Sequence, residues 1–361
     1  MENKDHIKLF IPGPTEVKEE ILQEMAMPLI GHRSKEISYL LEGIISKIQQ
    51  LLFTKNNIFV FASSSSGFME AAIRNCVKEK ILLLSCGVFA DRWEEIARAN
   101  GKSVETIKVP WGQAILPEMV EKELEKNCYD AVALVHNETS TGVMNPLEEI
   151  SEVVKKHPKI CFLVDAVSSM GGVKIEVDKL GIDVIFAGGQ KCLAMPPGIV
   201  IGAVSEKAIK KAETVQNRGY YFDFLTHLKY WEEKKQTPVT PSISHLFALD
   251  KQLTKILTEE GLENRFKRHQ EMANFVHNWA KEKFSLFADE KYLSNTVTAV
   301  KNIRQINVEE LRERLREKGK EIASGYGKLK GEYFRIAHMG DLQLSEIKEL
   351  LFDIDEILKQ R

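Results

Sequence analysis

The segment 161–198, CFLVDAVSSMGGVKIEVDKLGIDVIFAGGQKCLAMPPG, restricts the fold of this chain more than any other. Its first apolar run ends in Asp165. Its second, 183–187, passes through two glycines into Gln190 and Lys191, before a stiff Met-Pro-Pro-Gly turn. Short apolar runs closed by turn residues read as buried strands. Two such strands bring a carboxylate and an amine to one edge of a sheet, where open α/β folds take ligands. Singly, Asp165 reads as a turn cap and Lys191 as a solvated surface residue. Together, framed by glycines and prolines, they read as a site.

The chemistry of that pair is specific. A lysine amine can form a Schiff base with a carbonyl, and apolar surroundings lower its pKa toward neutrality. Pyridoxal 5'-phosphate (PLP) offers an aldehyde, and a carboxylate beside its ring nitrogen keeps the ring protonated as an electron sink. Upstream, the strand-like run 58–62 enters Ser63, Ser64, Ser65, Ser66 and Gly67, with a helix predicted over 68–77. Strand, small-residue loop and helix N-terminus make an anion seat, although a Ser-rich cap without a ligand has the same sequence. The run 81–85 leads through Gly87 into a helix that places Phe89 to stack on a planar ring. Plain core packing of Phe89 is the rival, and Trp93 one turn on is the weaker stacker. The strand 130–135 ends in HNETSTG, whose small hydroxyl residues either bond a ring oxygen or cap the loop before a helix starting near Pro146.

PGPTEV (12–17), HNETSTGVMNP (136–146), VDAVSSMGG (164–172) and GGQKCLAMPPG (188–198) resemble, in this order, class V aminotransferases of PLP fold type I. The nearest branch is the alanine/serine–glyoxylate aminotransferases, with phosphoserine aminotransferases as relatives, and the resemblance runs from about Ile11 to the C-terminus. It implies an α/β fold with an arm over 1–15, a large PLP-binding domain over 16–258 built on a mostly parallel seven-stranded sheet, and a small C-terminal α/β domain over 259–361. It gives Lys191 the cofactor's aldehyde and proton transfer, and Asp165 the ring nitrogen. Ser64, Ser65 and Ser66 would hold phosphate, Phe89 would stack on the ring, and Thr139, Val167 and Gln190 would contact the cofactor. Thr237, in QTPVTP (236–241), would reach the phosphate of a second copy across a shared active site, with Gln236 and Thr240 as rivals. Arg335 would take the substrate α-carboxylate, and Gly13, His32 and Arg33 would face the substrate. Relatives often have Gly where Ser65 stands, Trp for Phe89 and Ser for Thr139.

From the residues alone, His32 and Arg33 read equally as a solvated helix-start loop, and Arg335, set in an apolar strand pattern, as half of an ion pair. The pair His32-Arg33 matches residues that hold the substrate phosphate in phosphoserine aminotransferases, which keeps phosphoserine open. The expected reaction moves the amino group of serine or alanine to glyoxylate or pyruvate. The alternatives are phosphoserine with 2-oxoglutarate and, further off, a class V cysteine desulfurase or lyase. A desulfurase needs a cysteine on a mobile loop, and residues 193–361 contain none, while Cys192 is pinned by the prolines that follow. A non-enzymatic interaction protein on this fold has the intact Asp165/Lys191 pair against it.

Composition narrows the partners. Net charge is −2, with 28% charged and 43% hydrophobic residues, so neither nucleic acid nor a membrane surface is expected as a partner. Five cysteines, odd in number and without CxxC spacing, fit reduced thiols in a cytoplasmic protein, with neither disulfides nor a metal site. No run has signal or transmembrane length. Beyond the central segment, 199–204 reads as an antiparallel strand and 243–259 as a long helix linking the domains. The stretch 319–330, rich in Gly and Lys, reads as a mobile loop.

Overall fold

The computed structural model describes residues 6–359; positions 1–5 of the expected arm and the last two residues of the expected small domain lie outside the described residues. The strands are β1 (Lys8–Phe10), β2 (Asn57–Phe61), β3 (Lys80–Ser85), β4 (Ser103–Lys108), β5 (Ala131–Val135), β6 (Asn137–Glu138), β7 (Val143–Met144), β8 (Cys161–Asp165), β9 (Val184–Gly188), β10 (Val200–Val204), β11 (Ser285–Leu286), β12 (Val297–Lys301), β13 (Lys320–Ser324) and β14 (Tyr333–Ala337).

Side-chain alternation decides the layers, because successive residues of a strand face opposite sides of the sheet. Leu82, Leu84, Val132, Leu134, Phe162, Val164 and Ile185 pack against the helices Lys35–Leu52, Leu147–Lys155 and Ile243–Thr254. Ile81, Leu83, Ala131, Ala133, Leu163 and Phe186 pack against Ser65–Cys76, Val88–Ala99 and Glu206–Glu213. With both faces covered, the central strands are apolar throughout. The sheet has seven strands in the order β2-β10-β9-β8-β5-β3-β4. Its neighbours from β9 to β4 run parallel, and β10 is antiparallel to both β9 and β2, as 199–204 was expected to be. In this register Asp165 stands opposite Val135 on one side and Phe186 on the other, at the central C-terminal edge.

A second sheet, β1-β13-β14-β12-β11, is covered by the helices Leu262–Lys283, Val308–Glu317 and Leu344–Lys359. Four expectations are refined here. The arm includes a strand: Lys8–Phe10 pairs in parallel with Lys320–Ile322 and buries Phe10 completely. The stretch expected as a mobile loop contains β13, ordered by pairing with β1 and β14. The linking helix is α-helical to Thr254 and then turns π-helical over Lys255–Glu260. The helix after the serine loop also starts earlier than predicted, at Ser65. Cys76, Cys86, Cys161 and Cys192 are buried free thiols, and Cys128 is exposed. No helix of the described residues is long and apolar enough to cross a membrane.

Five buried histidines carry a consequence for stability. His136, His227, His269, His277 and His338 are all nearly inaccessible. Burial holds their pKa values below the usual imidazole range, at about 4 for His136, His227 and His277 and about 3 for His338, with His269 well below as well. They stay neutral in the fold but protonate near 6.5 in the unfolded chain. Their stabilising contribution is therefore complete above pH 6.5 and lost as pH falls toward 4, by up to about 1.4 kcal/mol per pH unit for each. Asp165 and Glu138, raised by burial, act in the opposite direction but are fewer. Melting curves should shift little between pH 7.5 and 6.5 and fall steeply from 6.5 to 4.5. A melting temperature that stays level down to pH 5 would contradict this.

Candidate active site

The parallel strands end on one edge, and the chain leaves each of them through a short loop. After β8, the chain turns so that the Val167 amide donates to Asp165 Oδ1 at 2.8 Å. Asp165 is 3% exposed, and burial pushes its carboxyl up to about 7. Among the described residues no cation lies in salt-bridge range of it. Burial without a counter-ion is costly for a carboxylate, so this group is set to receive a positive partner.

After β9, Gly188 and Gly189 lead to Gln190 and Lys191. The loop is closed tightly: the Ala194 amide donates to the Lys191 carbonyl at 2.9 Å and the Met195 amide to the Gly189 carbonyl at 2.9 Å. Burial, and next the charge of Arg335, bring the Lys191 amine down to about 8. Its Nζ donates to the Pro12 carbonyl. Thr15 fixes the same loop, its Oγ1 donating to the Lys191 carbonyl at 2.9 Å and its amide to the Gln190 carbonyl at 3.1 Å.

The segment PGPTEV thus lies on the lysine. Gly13 has φ +112°, and a Cβ there would stand 2.6 Å from Lys191 Nζ. Gly13→Ala should therefore displace the amine, cutting kcat/KM by about a hundredfold and costing about 1–3 kcal/mol in stability from backbone strain. Wild-type kinetics in this variant would mean that the amine's position is unimportant.

A cavity opens between these loops. Ser64, Ser65 and Ser66 line one end, at the N-terminus of the helix Ser65–Cys76, whose first turn receives no side-chain cap. Phe89, Thr139, Val167, Gln190 and Lys191 line the rest with Asp165. Thr139 Oγ1 shares a 2.6 Å hydrogen bond with Ser168 Oγ. Trp93 is buried against Phe186 instead, so of the two aromatic candidates only Phe89 faces the cavity.

Two polar atoms of lining residues are buried without partners: Ser65 Oγ and Asn137 Oδ1. Unmade hydrogen bonds of this kind are expensive unless a ligand completes them. A helix N-terminus with an orphaned hydroxyl suits a phosphate, a buried carboxylate suits a protonated ring nitrogen, and a low-pKa amine suits an aldehyde. These residues fit PLP.

Four residues were not singled out from the sequence. Asn137 and Arg92 line the cavity. Glu138 is fully buried, and its Oε2 accepts from the Phe89 and Ala90 amides, each at 3.1 Å, while Oε1 accepts from Ser140 Oγ at 2.6 Å. It caps the helix Val88–Ala99, whose N-cap is Gly87, and so fixes Phe89. The close approach needs Gly87, where a Cβ would meet Glu138 Cγ at 2.5 Å. Tyr326 stands edge-on to Phe89, with ring centroids 6.1 Å apart.

Arg335, on β14, is 8% exposed. Its Nε donates to the Ser324 carbonyl at 3.1 Å and its Nη1 to the Thr139 carbonyl at 3.3 Å. No carboxylate among the described residues forms an ion pair with it, so the ion-pair alternative from the sequence does not hold. Its guanidinium lies 5.5 Å from the Tyr326 ring centroid.

His32, Arg33 and Thr237 are not brought to the cavity of their own chain. Arg33 instead donates to the carbonyls of Thr237 at 2.5 Å and Pro238 at 3.1 Å. Thr237 Oγ1 donates to the Val239 carbonyl at 2.7 Å. Gln236 and Thr240 do not line the cavity either.

Residues 14–329 match the family profile described as "Aminotransferase class-V". An uncharacterized aminotransferase of Methanocaldococcus jannaschii is 42% identical over 362 residues, covering 98% of this chain and 92% of that protein. A serine–glyoxylate aminotransferase of Arabidopsis thaliana is 30% identical, over 97% of this chain and 90% of its own. The crystal structure of an alanine–glyoxylate aminotransferase from Nostoc sp. superimposes with a TM-score of 0.92 at 29% identity, covering 98% of this chain and 95% of that one.

Proposed function

The chain belongs to the class V aminotransferases, and from that premise we propose that it transfers the amino group of serine or alanine to glyoxylate or pyruvate, using PLP bound at Asp165 and Lys191. The observation that carries the reading is Arg335, a buried guanidinium that stands outside the cavity lining, has no carboxylate partner among the described residues, and whose charge, after burial, is the main influence on the Lys191 amine. An α-carboxylate is the partner it lacks, and a planar guanidinium grips one bidentately. PLP, when bound, supplies the aldehyde that takes up the amino group and a ring that spreads negative charge from the substrate Cα. Asp165 keeps the ring nitrogen charged. The amine of Lys191, with its pKa near 8, exchanges a proton with the substrate Cα at neutral pH. Phe89, held by Glu138, would stack on the ring, Ser64, Ser65 and Ser66 would hold the phosphate, and Thr139, Val167 and Gln190 would contact the cofactor.

Relatives that act on glyoxylate support the acceptor. The phosphoserine alternative is favoured by Arg92, a guanidinium that lines the cavity and has no ion-pair partner among the described residues. The desulfurase alternative is weakened by Cys192, which is buried, donates to the Ser168 carbonyl and has its thiol pushed up to about 11 by burial. Arg33 and Thr237 form a partly exposed corner, and Leu29 and Tyr39, close to Arg33 in sequence, are exposed. We ascribe to it the neighbour's half of a shared site in a cytoplasmic homodimer, where Thr237 reaches the partner's phosphate and His32 and Arg33 the partner's substrate.

The test is a panel in which serine, alanine, aspartate and phosphoserine are each combined with glyoxylate, pyruvate or 2-oxoglutarate, and the keto-acid product is measured. Serine or alanine with glyoxylate or pyruvate should be fastest. Phosphoserine with 2-oxoglutarate as the fastest pair would install the alternative, and no product from any pair would reject the proposed substrates.

A further inference from the structure

One buried guanidinium touches all three segments that carry Asp165, Lys191 and Arg335. Arg265, in the first turn of the helix Leu262–Lys283, is 1% exposed. Its Nε donates to the Gly171 carbonyl at 2.9 Å, and Gly171 ends the loop that begins at Asp165. Its Nη2 donates at 2.6 Å to the carbonyl of Cys192, the residue that follows Lys191. Its Nη1 donates to Asp341 Oδ1 at 3.0 Å and Glu260 Oε2 at 2.7 Å. Asp341 lies on the segment that leaves β14 and Arg335, and it also accepts from Gln252 Nε2. Glu260 closes the π-helical turn and is shared with Arg268, whose Nε donates to its Oε1 at 2.7 Å.

An ion pair kept only for stability would need the two carboxylates alone. Buried pairs of that kind are weak evidence for stability, since desolvation offsets much of the attraction. Here two of the three nitrogens are spent on backbone carbonyls of the segments behind Asp165 and Lys191. The rigid fork of a guanidinium fixes those carbonyls relative to each other and to Asp341, which an ammonium on a flexible stem cannot do. We propose that Arg265 is a positioning residue that keeps Asp165, Lys191 and Arg335 in register across the two sheets. Freeing the Cys192 carbonyl would let the lysine loop open toward water and undo the enclosure that lowers the pKa of its amine.

The inference rests on the roles proposed above for these three residues, so the test begins with a readout that needs neither cofactor nor substrate. The apo-protein is amidinated with methyl acetimidate over a range of pH, and modification of Lys191 is mapped by peptide mass. In the wild type the midpoint should lie near 8. In Arg265→Met it should rise by about one unit, so that labelling at pH 7.5 falls severalfold to tenfold. Arg265→Lys should recover the melting temperature through Glu260 and Asp341 but leave the labelling midpoint raised. It should also lower kcat/KM on the order of a hundredfold. Asp341→Asn, which loosens the Arg335 side only, should raise KM for the amino donor about tenfold, with the labelling midpoint unchanged. Should Arg265→Met fail to fold, the lysine and Asp341 variants decide the question. Wild-type midpoint and kcat/KM in Arg265→Lys, or wild-type KM in Asp341→Asn, would overturn the role of Arg265 whatever the melting temperatures. A wild-type midpoint near 10.5, that of an ordinary lysine, would instead overturn the reading of Lys191 itself.

Discussion

The Lys191→Ala variant should lose at least about 10⁴-fold in turnover, because its amine serves both as the attachment point for the cofactor's aldehyde and as the acid/base at the substrate Cα. Among the described residues, Lys191 is the only lysine lining the cavity. Its amine bonds a backbone carbonyl and forms no salt bridge with a carboxylate among the described residues. Removing a half-buried cation that has no carboxylate partner among the described residues should not cost stability, since its desolvation is relieved. Thermal melts at or above the wild-type temperature, with turnover gone, would therefore separate a chemical role from a structural one. A variant that keeps a tenth of the activity would show that the amine is dispensable.

Asp165→Asn should reduce turnover on the order of 10³-fold while leaving the fold intact, because the amide is isosteric but cannot balance a charged ring nitrogen. The pH dependence gives a sharper signature. With its carboxyl pushed up to about 7, Asp165 is ionised above that pH and neutral below it. A cationic ring binds to the ionised form, so wild-type affinity for PLP should weaken as pH falls from 8 to 6, by up to about tenfold per unit below 7. In Asp165→Asn this dependence should disappear, with affinity low at every pH. The Val167 amide, which now donates to Asp165 Oδ1, can donate to the asparagine oxygen as well, so the loop itself is not disturbed. An unchanged pH profile in the variant would mean that some other group titrates.

The central pair was legible because it lies at the ends of two strands buried on both faces. Such strands are continuous apolar runs, so the first polar residue after each one marks the sheet edge. The serine loop was legible for a related reason, although its helix starts at Ser65 and not at Phe68. Arg335 stood out as a charge within an apolar strand. The residues that escaped notice lack such contrast. Glu138 sits among other polar residues of a two-residue strand, and its role as the cap of a distant helix depends on β5 and β3 being neighbours. Arg92 and Arg265 lie on helices rich in charge, where sequence does not separate a buried guanidinium from a solvated one. The strand Lys320–Ser324 was hidden by its flanking glycines and lysines, because its order comes from pairing with residues more than 300 positions earlier. Thr237 could be placed only by resemblance, and in the single chain it lies away from its own cavity.

The most direct measurement is to incubate the purified protein with PLP, reduce it with borohydride and map the modified peptide by mass. One phosphopyridoxyl group per chain is expected, on Lys191, and none on the Lys191→Ala variant. Label on another lysine, or no label above that found on a denatured control, would contradict it.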